Sequence, residues 1–133
     1  MAQLRWLSRQ ALDEMHRAQL REHGGRAGVR DAGLIDSALA RPRNKATYGR
    51  KVGIALLAAA YGYGLARNHG YVDGIKRVAF VAMAAFLRLN GYELSVDEPD
   101  VVRTIERLAA GRLTERALAS WIRKHIVRPT RSR

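Results

Sequence analysis

Residues 54–89 read IALLAAAYGYGLARNHGYVDGIKRVAFVAMAAFLRL. Two alanine-rich apolar runs flank a polar core, Asn68 to Arg77 (NHGYVDGIKR). Neither run alternates polar and apolar residues as a half-exposed strand would. The first run, from about Val52 to Asn68, has the small residues that let neighbouring helices approach closely, which suits a central buried helix. The second, Val78 to Leu89, ends at Asn90-Gly91, a C-cap signal. Two buried helices joined by a short polar turn imply an all-α bundle built around them.

The rest of the chain fits that frame. Ser8 is an N-cap candidate for a helix to about Glu22, with Ala11, Met15 and Ala18 on one face and Gly24-Gly25 as its stop. A short helix is expected from Ala32 to Ala40, ended by Arg41-Pro42. Residues 41–51 (RPRNKATYGRK) read as a basic loop. Glu98-Pro99 opens another helix with Val101, Val102, Ile105, Leu108 and Ala109 at helical spacing and Gly111 as its end. Thr114 caps a last helix in which Leu118, Trp121, Ile122 and His125 share a face. The expected organisation is one domain over residues 1–126, of about six helices, and a basic, frayed tail over 127–133.

Composition narrows the function classes. The chain has 133 residues, 47% hydrophobic, enough for one domain with a core. It has no cysteine, which excludes disulfides and thiolate metal sites. MAQLRWLSRQ carries no apolar core of a secretory signal, and Val52 to Ala66 is too short to span a bilayer. A cytoplasmic protein without membrane contact is the expectation. Lys+Arg outnumber Asp+Glu 24 to 12, a net charge of +12. Such an excess suits an acidic partner or simple solubility. A nucleic-acid-binding helical module lacks support, because no recognition helix or aromatic platform stands out.

The polar core could be a capped helix–helix turn, or it could be a site. Gly74 permits a tight turn before a helix start, and the free N–H groups there would attract an anion. Lys76 and Arg77 add cationic donors. A carboxylate beside bound phosphates, here Asp73, is an ordinary way to hold Mg²⁺. His69 is the residue type suited to general-base work near neutral pH. Read as a site, the set implies phosphoryl or nucleotidyl transfer from a nucleoside triphosphate to a hydroxyl.

At these residues the chain resembles the Fic family, whose motif runs H-P-F-x-[DE]-G-N-[GK]-R; here it is H-G-Y-V-D-G-I-K-R. The flanking helices, with FLRLNGYEL after the motif and VRDAGLIDSALARP at 29–42, are similar to the Doc (death on curing) branch. The likeness runs over roughly residues 5–125. It implies that His69 takes the proton of a target hydroxyl and Asp73 binds Mg²⁺ bridging the phosphates of ATP. Gly74 and the start of the next helix would form the anion hole, and Arg77 would contact phosphate. Most Fic proteins transfer AMP and carry glycine at the Lys76 position. Lysine is the Doc pattern, which implies a kinase transferring the γ-phosphate to a threonine of elongation factor Tu and blocking translation. Adenylyl transfer is the alternative activity. The loop at 41–51 matches the position of the family's target-docking flap. No Ser or Thr has glutamate four residues on, so the family's inhibitory pattern is absent and a separate, Phd-like acidic antitoxin is implied.

The sequence also departs from the motif. Gly70 replaces proline, which is expected to loosen the loop, and Tyr71 replaces phenylalanine. Ile75 replaces asparagine and brings no donor. Phe80 stands where AMP-transferring members have a second arginine and Doc has asparagine. A catalytically inactive Doc-like protein that binds an antitoxin or nucleotide is therefore a further reading. Arg67 is a candidate phosphate contact. His16 and His125 read as packing or surface residues, His23 as a helix-end cap, and Trp6 and Trp121 as core or interface.

Overall fold

The computed structural model describes residues 3–48 and 53–129. At its centre lies α3 (Ile54–Asn68), which packs against α2 (Ala32–Tyr48), α4 (Ile75–Leu89) and α6 (Glu115–His125). Ten of its residues are buried, from Ala55 to Ala66. Small side chains make this crowding feasible: a Cβ on Gly62 would collide with Met83 of α4, and one on Gly64 would come within 3.2 Å of Ala38 of α2. On α4, Val78, Ala82, Met83, Phe86 and Leu87 are fully buried, and each large apolar side chain there contributes roughly 1.5–3 kcal/mol. Around this pair stand α1 (Arg9–His23) and α5 (Glu98–Ala109). The all-α expectation and the six helices are both observed among the described residues.

The capping signals act as read. Ser8 Oγ accepts the Ala11 N–H and Thr114 Oγ1 the Ala117 N–H, both at 3.0 Å. Asp97 does the same for Asp100 N–H at 3.2 Å. Gly24 and Gly25 end α1 with positive φ, 82° and 123°.

Three expectations are corrected. First, α2 does not stop at Arg41-Pro42 but continues to Tyr48 with Pro42 inside it. The missing Pro N–H and the ring clash disfavour this by about 3 kcal/mol in isolation. Tertiary contacts offset it: the Pro42 ring is fully buried, and Arg41 grips Glu115 of α6 through two bonds of 2.9 and 2.7 Å. Lys45 adds a third contact to Glu115 at 3.3 Å. The basic loop at 41–51 is thus helical over its first part, and 49–52 lie outside the described residues. Second, Leu12 and His16 are the buried centre of the inner face of α1, with Ala11, Met15 and Ala18 only half-buried. Third, Val127 is not frayed: β2 (Ile126–Val127) pairs antiparallel with β1 (Glu93–Leu94), Leu94 opposite Ile126. Arg128 then stacks on the Tyr92 ring, 4.9 Å from its centroid.

Candidate active site

The turn between α3 and α4 is rigidly held. His69 ends α3 in the left-handed conformation, φ 53°, ψ 45°. Among the described residues it is the only non-glycine with positive φ. Such backbone costs on the order of 1–3 kcal/mol and persists where neighbours over-determine it. Those neighbours are residues 28–31. Arg30 Nε donates to the His69 carbonyl at 3.0 Å. The Arg30 and Asp31 N–H groups donate to the Gly70 carbonyl at 2.8 and 3.0 Å, and the Val72 N–H to the Gly28 carbonyl at 3.0 Å. Val29 and Tyr71 form an isolated antiparallel bridge. Gly70 is buried, and a Cβ on it would strike Ile35 Cγ1. The residue therefore allows close packing, and the loosening expected of it is offset by this clamp. The His69 side chain itself is exposed.

Gly74 has φ 73° and ψ 18°, a left-handed turn that glycine adopts without steric cost. It puts the first-turn N–H groups of α4, those of Ile75, Lys76 and Arg77, at a helix N-terminus without intrahelical partners. Asp73 lies beside them. Its carboxylate accepts the Arg26 N–H at 3.1 Å and the Gly74 N–H at 2.9 Å. These backbone bonds, Arg26 first, hold its pKa below the ordinary 3.8. An ionised, exposed carboxylate with lone pairs to spare fits one-point attachment of Mg²⁺ that arrives with phosphates. Among the described residues no group of three or more acidic, histidine or cysteine side chains could hold a metal alone.

His69, Asp73, Gly74, Ile75, Lys76 and Arg77 all line one cleft of about 940 Å³, opposed by α5. Most of its other lining is apolar, including Phe80, Val96, Val101, Val102 and Ile105. Ile75 is half-buried against the core. Lys76 Nζ is held by Glu106 of α5 at 3.0 Å, with both side chains more than half exposed. Arg67 is not among the residues that line the cleft; its guanidinium lies over Gly111.

Several residues of this region carry no local sequence signal. Glu106 faces Lys76 across 30 positions. His23, read as a helix-end cap, lines the cleft with Gln19. His16, read as a packing or surface residue, is 3% exposed and hydrogen-bonded to the Asp73 carbonyl at 2.7 Å. The only sequence hint was a histidine where the helical pattern calls for a core residue. His125, by contrast, bonds the Trp121 carbonyl at 2.8 Å, and neither residue lines the cleft.

Comparisons with known proteins show which family the chain is similar to. The model of the Fic/DOC family matches residues 6–87, which include the whole turn. The chain is 47% identical over 76 residues to Toxin Doc of Mycolicibacterium smegmatis, an overlap of 56% of this chain and 58% of that protein. It is 26% identical over 121 residues to Protein kinase doc of Escherichia phage P1, covering 91% of this chain and 95% of that one. The matched region thus spans a little over half of the mycobacterial relative and nearly all of the phage one.

Proposed function

The chain belongs to the Fic/DOC family, and on that premise we propose that it is a Doc-like toxin of a toxin–antitoxin module, a protein kinase that moves the γ-phosphate of ATP to a threonine of elongation factor Tu. The observation that carries this reading is the single cleft shared by His69, Asp73, Gly74, Lys76 and Arg77 at the N-terminus of α4. The phage relative is named a protein kinase and the mycobacterial one a toxin. In this reading exposed His69 removes the proton of the threonine hydroxyl as its oxygen bonds the γ-phosphorus. The bond from that phosphorus to the β-phosphate bridge breaks, and ADP leaves. The N–H groups opening α4, with Lys76 and Arg77, compensate the phosphate charge. Asp73 would hold Mg²⁺, which when bound neutralises phosphate charge. Lys76 reaches phosphate only by leaving Glu106, an exposed pair worth at most about 1 kcal/mol.

Peptide mapping of elongation factor Tu after incubation with the protein and Mg-ATP tests the proposal. One phosphorylated threonine is expected, absent with Asp73→Asn. An AMP-modified residue would instead support adenylyl transfer, and an unmodified target would contradict both. A second reading, an inactive Doc-like protein that binds its antitoxin, is favoured by two observations: Ile75 is half-buried and Phe80 lines the cleft, where polar side chains would steady the outer phosphate. An acidic antitoxin peptide suits the +12 charge in either case.

A further inference from the structure

On α1 the residues Arg9, Asp13, His16 and Leu20 follow one another at steps of four, three and four, so they share a helix face. That face grips the active-site turn from behind. Arg9 holds the Asp13 carboxylate through Nε at 3.1 Å. Asp13 accepts the Tyr71 hydroxyl at 2.7 Å. The Tyr71 ring stacks on His16, centroids 3.8 Å apart and planes 17° apart. His16 Nε2 then meets the carbonyl oxygen of Asp73 at 2.7 Å. A carbonyl only accepts, so Nε2 carries the proton and is the donor. Leu20 closes the row: Cβ atoms placed on Gly25 and Gly74 would meet its Cδ2 at 2.9 and 3.4 Å.

Apolar packing would fill this space as well as a histidine does. Burying the polar ring costs free energy unless it is hydrogen-bonded, and here the bond is to the Asp73 carbonyl. The bond falls on the main chain of the residue whose side chain faces the phosphate turn. It fixes the peptide plane between Asp73 and Gly74, and with it the aim of the carboxylate and of the first N–H groups of α4. We propose that His16 is a positioning residue for the Asp73–Gly74 turn, holding the carboxylate in the attitude that receives a metal–nucleotide ligand. His16 lies behind the turn and is not among the residues that line the cleft. The inference rests on the reading of Asp73 as the group that takes Mg²⁺.

Two substitutions separate its two contacts. His16→Phe keeps the stack on Tyr71 and drops the donor. His16→Gln keeps an N–H at similar reach and drops the stack. The readout is the affinity for Mn²⁺–ATP, measured by water-proton relaxation enhancement, beside a thermal melt. Removing an outer hydrogen-bond partner of a metal-binding group typically costs about 10–100-fold in affinity. His16→Phe is expected to lose roughly tenfold or more, with His16→Gln staying within about threefold of wild type. Asp73→Asn sets the floor. Wild-type affinity in His16→Phe, with Asp73→Asn still weakened, overturns the positioning role and leaves the Asp73 reading intact. If wild type and Asp73→Asn bind alike, the Asp73 reading fails, and this inference falls with it. Should His16→Phe melt below the assay temperature, His16→Gln decides: a loss as large as that of Asp73→Asn in a folded protein would contradict the role given to the donor.

Discussion

Ile75 opens α4 with its backbone N–H at the turn after Gly74 and its side chain half-buried against the core. It offers the cleft an apolar surface where the family motif places an amide. Ile75→Asn is expected to raise phosphate transfer by up to about 10²-fold, the scale of one well-placed polar contact to a transferring group. The same change removes apolar burial and should lower the unfolding free energy by about 1–2 kcal/mol. Steady-state kinetics and a urea titration read the two effects separately. Gly70 makes the complementary case. Because a Cβ there would strike Ile35, Gly70→Ala should destabilise by roughly 1–3 kcal/mol through overpacking. An unchanged denaturation midpoint would contradict the close approach. Residues 69–77 were legible as a candidate site because they are contiguous. What Gly70 does was not, since the side chain that demands it lies 35 positions earlier, on Ile35.

At the scale of elements, the caps at Ser8 and Thr114 and the glycine stops could be read directly, because each is a local bond between near neighbours. The length of α2 could not. Pro42 carries a local stop signal that the Glu115 contacts from α6 override. Burial pushes the Glu115 carboxyl up, but the bonds and charges of Arg41 and Lys45 bring it below its ordinary 4.5. A depressed carboxylate stabilises the fold above its unfolded pKa and loses that contribution as pH falls. Acid unfolding should therefore set in below about pH 4.5, and Glu115→Gln should flatten that limb. Hydrogen exchange should also quicken over residues 41–48 in that variant. The buried face of α1 centres on Leu12 and His16 for a related reason. His16 is polar by type, yet stacking on Tyr71 and its bond to the Asp73 carbonyl bury it.

Across the whole molecule, the two central helices and the turn between them fixed both the fold class and the family from sequence. The cleft needed three dimensions. Its far wall is α5, which lies beyond the family match of residues 6–87 yet supplies Val101, Ile105 and Glu106. The core also carries a pH signature. Burial first, and then the bond to Asp13, raises the Tyr71 hydroxyl above its ordinary 10.0, and burial raises that of Tyr61. A raised phenol contributes fully below pH 10.0 and loses that contribution as pH climbs through the folded value. Stability should fall above about pH 10, less steeply in Tyr71→Phe, as a denaturant series at stepped pH would show. For the molecule as an enzyme, the decisive measurement is label transfer to elongation factor Tu from γ-labelled and α-labelled ATP, with wild type, Ile75→Asn and His69→Ala in parallel. The γ label alone should appear on the target, more of it with Ile75→Asn, and at least about 10²-fold less with His69→Ala. Transfer of the α label, or undiminished transfer by His69→Ala, would contradict the account.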